Sequence, residues 1–141
     1  MAERCSIWLA SWGKPMPRTI IATEAAPATP PSYSQAVKAA GLIFVSGTAP
    51  IDPATGQLVK GPVQVQVAQC LRNISAILVA AGSSLEKAAS ATLIVADEGD
   101  FAGANEEWLK WFPDNLPARQ GAKMPVRIAD MKVSIAMIAE A

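Results

Sequence analysis

Residues 41–82 read GLIFVSGTAPIDPATGQLVKGPVQVQVAQCLRNISAILVAAG. The opening Gly41–Gly47 is a short apolar run closed by glycines and rich in branched and aromatic side chains, which predicts a strand covered on both faces. Asp52-Pro53 and Thr55-Gly56 then supply turn chemistry. From Val63 the periodicity changes. Val63, Val67, Leu71, Ile74, Leu78 and Ala81 recur at intervals of three and four, one face of a helix about five turns long. Pro62 suits the first position of that helix and Gly82 its C-terminal cap. A strand, a turn and a one-sided helix in that order describe a helix laid on a sheet.

Working outward, ASATLIVAD (89–97) reads as a second buried strand, and GDFAGANEEWLKWF (99–112) as a second helix. Asp100 is the expected N-cap, with Phe101, Ala104, Trp108 and Trp111 along one stripe. KVSIAMIA (132–139) reads as a strand near the C-terminal end. Upstream, Thr19–Ala22 is β-prone, and the following segment holds Pro27, Pro30 and Pro31, which favour extended, turn-rich backbone over helix. The order strands, helix, strand, helix, strands implies an α+β domain with a sheet carrying both helices on one face. The strands lack a clean polar side, so a neighbouring subunit is the simplest cover for the other face.

The bulk numbers fit one domain. The chain has 141 residues, 51% of them hydrophobic and only 17% charged, below the ~25% charge usual in soluble domains. Twelve Lys and Arg balance twelve Asp and Glu, and no basic run exists to serve duplex nucleic acid. Histidine is absent and the two cysteines, Cys5 and Cys70, lie far apart. These counts remove His-based metal sites, a Cys/His dyad and a Ser/His/Asp triad; no metal site is expected. They also argue against a disulfide framework and for a reducing, cytoplasmic setting. No stretch approaches the ~20 consecutive apolar residues of a membrane span. Residues 1–17, MAERCSIWLASWGKPMP, read as an appended, disordered extension before a domain at 18–141. A short mitochondrial presequence and an upstream start codon before Met16 account for that extension equally well.

Few residues could carry chemistry. Arg119, Tyr33, Ser46, Thr48, Asn105, Cys70 and Ser134 are the polar or reactive groups at strand ends, in Gly/Pro-rich turns or on the helices, and each has a plain reading. Arg119, in PARQGAK (117–123), would be a solvated charge at the entrance to a core strand. Tyr33 would be a core aromatic with a wet hydroxyl, and Ser46 and Thr48 would stabilise the turn around Gly47. Asn105 would face solvent, and Cys70 would be a small core residue. Asp97, Glu98 and Asp100 cluster in a loop and would serve a cap.

The combination alters that reading. PSYSQAV, GLIFVSGTAPIDPATGQLV, NISAILVAAGSSLEKA, DFAGANEEW and LPARQ resemble successive landmarks of the RidA/YjgF family, the reactive-intermediate deaminases also labelled the L-PSP endoribonuclease or translation-inhibitor family. The resemblance runs from Arg18 to Ala141. It implies a chorismate-mutase-like α+β fold, a homotrimer, and sites in the clefts between subunits. It further implies that Arg119 binds the carboxylate of a small enamine or imine derived from an amino acid, a task suited to the planar guanidinium fork. By the same carry-over Tyr33, Ser46, Gly47 and Asn105 line the pocket. The implied reaction is hydrolysis of 2-aminoacrylate/2-iminopropanoate-type compounds to 2-keto acids and ammonia, without a cofactor.

The chain departs from that pattern at three places. Deaminase members read approximately Val-Glu-Ile-Glu in the last strand, the first Glu being the residue thought to position water; here VSIA puts Ser134 there. Gly121 replaces the family's Cys two residues after the Arg, and Pro125 falls where many members continue a strand. Loss of a general base typically removes ~10² to 10⁴ of rate. The alternatives are therefore a non-catalytic ligand-binding or chaperone-like trimer and, ranked last, an endoribonuclease that inhibits translation.

Overall fold

The computed structural model describes residues 17–125 and 128–141; the appended extension, apart from Pro17, lies outside them. Eight strands and two long helices follow in the order β1 (Thr19–Ile21), β2 (Ala36–Ala39), β3 (Leu42–Thr48), β4 (Ile51–Asp52), β5 (Gln57–Leu58), α1 (Val63–Ala80), β6 (Ala88–Val95), α2 (Phe101–Trp111), β7 (Ala118–Lys123) and β8 (Val133–Glu140). Six strands form one sheet in the order β1-β2-β3-β8-β6-β7, and β4-β5 is a separate hairpin. All neighbours in the large sheet are antiparallel except β6 and β7, which are parallel. The sheet is thus mixed.

Side-chain alternation sets the layers. On β8, Val133, Ile135, Met137 and Ala139 are buried, and on β6 Ala91, Leu93 and Val95 are. These positions share one core with Val67, Leu71, Ile74 and Leu78 of α1 and with Ala104 and Trp108 of α2. Both helices therefore lie on the same face. Their close approach rests on Gly103, where an added Cβ would stand 2.7 Å from Val63 Cγ1. Alpha-1 is long and apolar enough to span a membrane by length and composition alone, but its buried side lies on the sheet.

Pro62 and Gly82 bracket α1. Gly82 takes φ +82°, its N–H donates to Val79 O at 3.0 Å, and Ser83 N–H donates to Leu78 O at 2.8 Å. This is the paired closure of a Schellman motif, which relieves carbonyls that the helix cannot satisfy itself. Gln66, fully buried in α1, donates to Val59 O and Asp130 O and accepts from Lys132 N–H, so one side chain ties two distant loops together.

Three expectations need correction. The strand at 41–47 is covered on one face only within the chain: Ile43 and Val45 are buried, but Phe44 is 42% exposed. The opposite face of the sheet, where Phe44, Thr92, Ala136 and Ile138 surround a shallow depression, has no layer of the described residues over it. Asp100 occupies the N-cap position of α2 but caps nothing with its side chain. Asp97 does that work one turn earlier, accepting from Gly99 N–H at 2.7 Å, because a 3-10 turn at 98–100 leads into the helix. Finally, Arg119 stands in an edge strand and not at the entrance to a core strand. All of β7 but Ala122 is exposed, and only β6 pairs with it.

Candidate active site

Two groups of side chains, on different parts of the sheet, contain every site residue expected from the sequence. The first is built on β7 and α2. Arg119 pairs in register with the buried Ala91, so its side chain points to the helix-bearing face. There its Nη2 donates to Asn105 Oδ1 at 2.5 Å, and its guanidinium carbon lies 5.1 Å from the centroid of the Trp108 ring. Trp108 is itself only 4% exposed and stacks on Phe112. Asn105 and Trp108 are three residues apart on α2, which puts both on the side facing β7. No carboxylate among the described residues forms a salt bridge with Arg119. The cation is therefore braced by a neutral amide and a ring face, and its remaining N–H donors are free for an anion.

The second group surrounds the end of β3. The pairing of β3 with β8 slips between Val45 and Thr48, so that Ser46 and Gly47 form a β-bulge. Ser46 Oγ donates to Ser34 O at 2.6 Å, and Thr48 Oγ1 donates to Ser46 O at 2.8 Å. Tyr33, half exposed, lines the same cavity as Ser46, Gly47 and Thr48. Ser134 lies across from the bulge on β8. A Cβ on Gly47 would stand 3.4 Å from Ser134 Oγ, so the glycine keeps the space before that hydroxyl clear. Ser134 alternates with the buried Val133 and Ile135 and therefore faces the uncovered side of the sheet.

Alpha-1 fixes this second group from behind. Cys70 Sγ donates to Thr48 O at 3.3 Å, and Asn73 Nδ2 donates to Ala49 O and Ile51 O at 3.1 and 2.8 Å. Burial pushes the Cys70 thiol far above its ordinary range, which keeps it protonated and poorly nucleophilic. Gln35 performs the same service for the proline-rich loop. It accepts from Thr23 N–H at 2.7 Å and donates to the carbonyls of Thr23 and Pro27. Gln35 and Asn73 went unremarked in the sequence reading; a polar residue inside an otherwise apolar helix stripe or strand start was the available signal.

The two groups do not meet in one chain. Beta-3 and β7 are separated by β8 and β6, about 14 Å at the usual strand spacing, and Arg119 and Ser134 point to opposite faces.

A family model described as Endoribonuclease L-PSP matches residues 23–141. The chain belongs to the RidA/YjgF family. A RutC family protein of Pyrococcus horikoshii is 41% identical over 122 residues, covering 86% of this chain and 97% of that protein. The rat 2-iminobutanoate/2-iminopropanoate deaminase is 38% identical over 122 residues, covering 86% of this chain and 89% of the relative. Among solved structures, the Rid family protein YyfA of Yersinia pestis superposes with a TM-score of 0.84 at 30% identity, covering 89% of this chain and all of its own. Escherichia coli TdcF, solved with bound serine, gives a TM-score of 0.81 at 33% identity over 87% of this chain and 98% of its own. The mixed sheet with two helices on one face is thus the RidA/YjgF fold.

Proposed function

We propose that this chain hydrolyses 2-imino acids of the 2-iminopropanoate type to 2-keto acids and ammonium, in clefts between the subunits of a homotrimer. The observation that carries the reading is the braced Arg119 guanidinium, held without a carboxylate partner among the described residues. Such an arrangement suits a free carboxylate ligand. Relatives named as imine deaminases and a relative holding serine support the same chemistry. One protomer supplies Arg119 and Asn105; its neighbour supplies Tyr33, Ser46, Gly47 and Ser134.

The reaction is R–C(=NH2⁺)–COO⁻ + H2O → R–C(=O)–COO⁻ + NH4⁺. Arg119 grips the carboxylate and fixes the imine carbon, so that water adds from one side. The new C–O bond uses a water lone pair while the C=N π pair moves to nitrogen. One proton of the water passes to that nitrogen; the C–N bond then breaks with its pair on nitrogen while an oxygen lone pair closes the C=O bond, and the hydroxyl proton goes to the departing ammonia to give ammonium. Ser134 is placed to hold the water, but a hydroxyl cannot take its proton near neutral pH. The step consumes only water and the bound iminium.

The test is ammonium release from an iminium generated in place by an amino-acid oxidase. Wild type is expected to exceed Arg119→Ala by at least about 10² in kcat/KM; equal rates for the two would discard the hydrolase. The serine at position 134 also favours a second reading, a trimer that binds 2-keto acids without turnover. Under that reading pyruvate binds, hydrolysis is absent, and Ser134→Glu creates it with a gain of ~10² or more.

A further inference from the structure

The second group of side chains borders a cavity of about 240 Å³, most of whose lining the chemistry above does not use. Ser46 and Gly47 belong to its lining, together with Pro27, Pro30, Tyr33, Ile51, Ile77 and Ile128. Among the described residues, no charged one lines it. Three of the polar side chains at its wall are already engaged, Ser46 with Ser34 O, Thr48 with Ser46 O, and Gln35 with the backbone of Thr23 and Pro27, while the hydroxyls of Thr29 and Tyr33 are the polar groups left over. What remains toward the space is largely apolar. Ile77, from α1, is 2% exposed and belongs to the core, so the pocket floor is as fixed as the fold. Gln35 is 6% exposed and holds the proline-rich outer wall through hydrogen bonds.

We propose that this cavity receives the side chain of the substrate and makes the protein selective for 2-imino acids with long or branched apolar side chains. The inference rests on the hydrolytic reading, and names its substrate class. An apolar cavity of about 150 Å³ suffices for benzene, so the space here exceeds what a methyl group can fill. A four-carbon branched chain would replace that void with contacts and displace water from apolar walls. A carboxylate at the end of the side chain would lose its hydration with no cation among the described lining residues to meet it.

The experiment is calorimetric binding of pyruvate, 4-methyl-2-oxopentanoate and 2-oxoglutarate to the full chain, beside kcat/KM for the imines formed from alanine and leucine. The branched keto acid is expected to bind at least about tenfold tighter than pyruvate, and 2-oxoglutarate more weakly than either. Ala49→Phe fills the cavity from the wall and Ala28→Phe from the exposed loop; the tenfold ratio is expected to collapse in whichever variant folds. Equal affinity for pyruvate and the branched acid, no binding of either, or a ratio that survives filling would overturn the assignment. Tight binding of the branched acid without turnover would retire the hydrolase and support the cavity. Turnover of both imines with equal kcat/KM would do the reverse.

Discussion

Arg119 shows how much a single residue's meaning depends on its neighbours. A cation on an exposed edge strand is ordinarily a device against sheet-to-sheet pairing, and at the sequence level nothing separates that role from anion capture. The Asn105 amide and the Trp108 ring separate them, since they orient the guanidinium where a surface charge would have been left free. Lysine cannot reproduce a planar fork laid on an aromatic face. Arg119→Lys is therefore expected to keep the positive charge and still lose most of the affinity for pyruvate, roughly tenfold or more, in the same calorimetric titration. Cys70 makes the opposite point. Buried beneath Thr48, it stays neutral where an exposed thiol would ionise near 9.0. Unfolding above that pH releases a proton that the folded state retains. The thiol's contribution to stability is thus whole below pH 9.0 and declines as pH rises beyond it, by about 1.4 kcal/mol per unit. Urea denaturation of wild type and Cys70→Ala at about pH 8 and about pH 10 should show their difference shrinking at the higher value.

Elements declared themselves in the sequence to the extent that they are covered on one side. Alpha-1 was legible end to end because its apolar stripe, Pro62 and Gly82 act together. Gly82→Ala should cost about 1 to 2 kcal/mol in denaturant unfolding; the loss is conformational, because nothing stands within 4 Å of the added Cβ. Beta-8 and β6 were legible for the same reason. Beta-7 was not: Arg-Gln-Gly-Ala-Lys has no apolar alternation, since an edge strand exposed along most of its length has little to bury. Asp97 and Asp100 were both legible as cap residues, but which of the two makes the bond depends on the intervening 3-10 turn, which composition does not encode. The candidate residues were all found by type and motif. Their division between two faces was not foreseeable, because it follows from strand order and from a bulge at Ser46–Gly47, both products of long-range pairing.

At the scale of the whole molecule, the uncovered sheet face and the divided site ask for the same remedy. A second copy laid across Phe44, Ala136 and Ile138 would bury apolar surface and carry an Arg119 towards another chain's Ser46 and Gly47. Ala136→Arg, in the middle of that face, should convert the proposed trimer to monomers in sedimentation and abolish the proposed hydrolysis together with it; a monomeric wild type of full activity would refute the shared cleft. The position of β8 has a different consequence. It is the last strand made, yet it lies between β3 and β6 in the middle of the sheet. During translation both of those strands must wait with open edges, so the sheet cannot close progressively behind the ribosome. Chains truncated before residue 133 are expected to leave the facing edges of β3 and β6 unpaired and to aggregate through them.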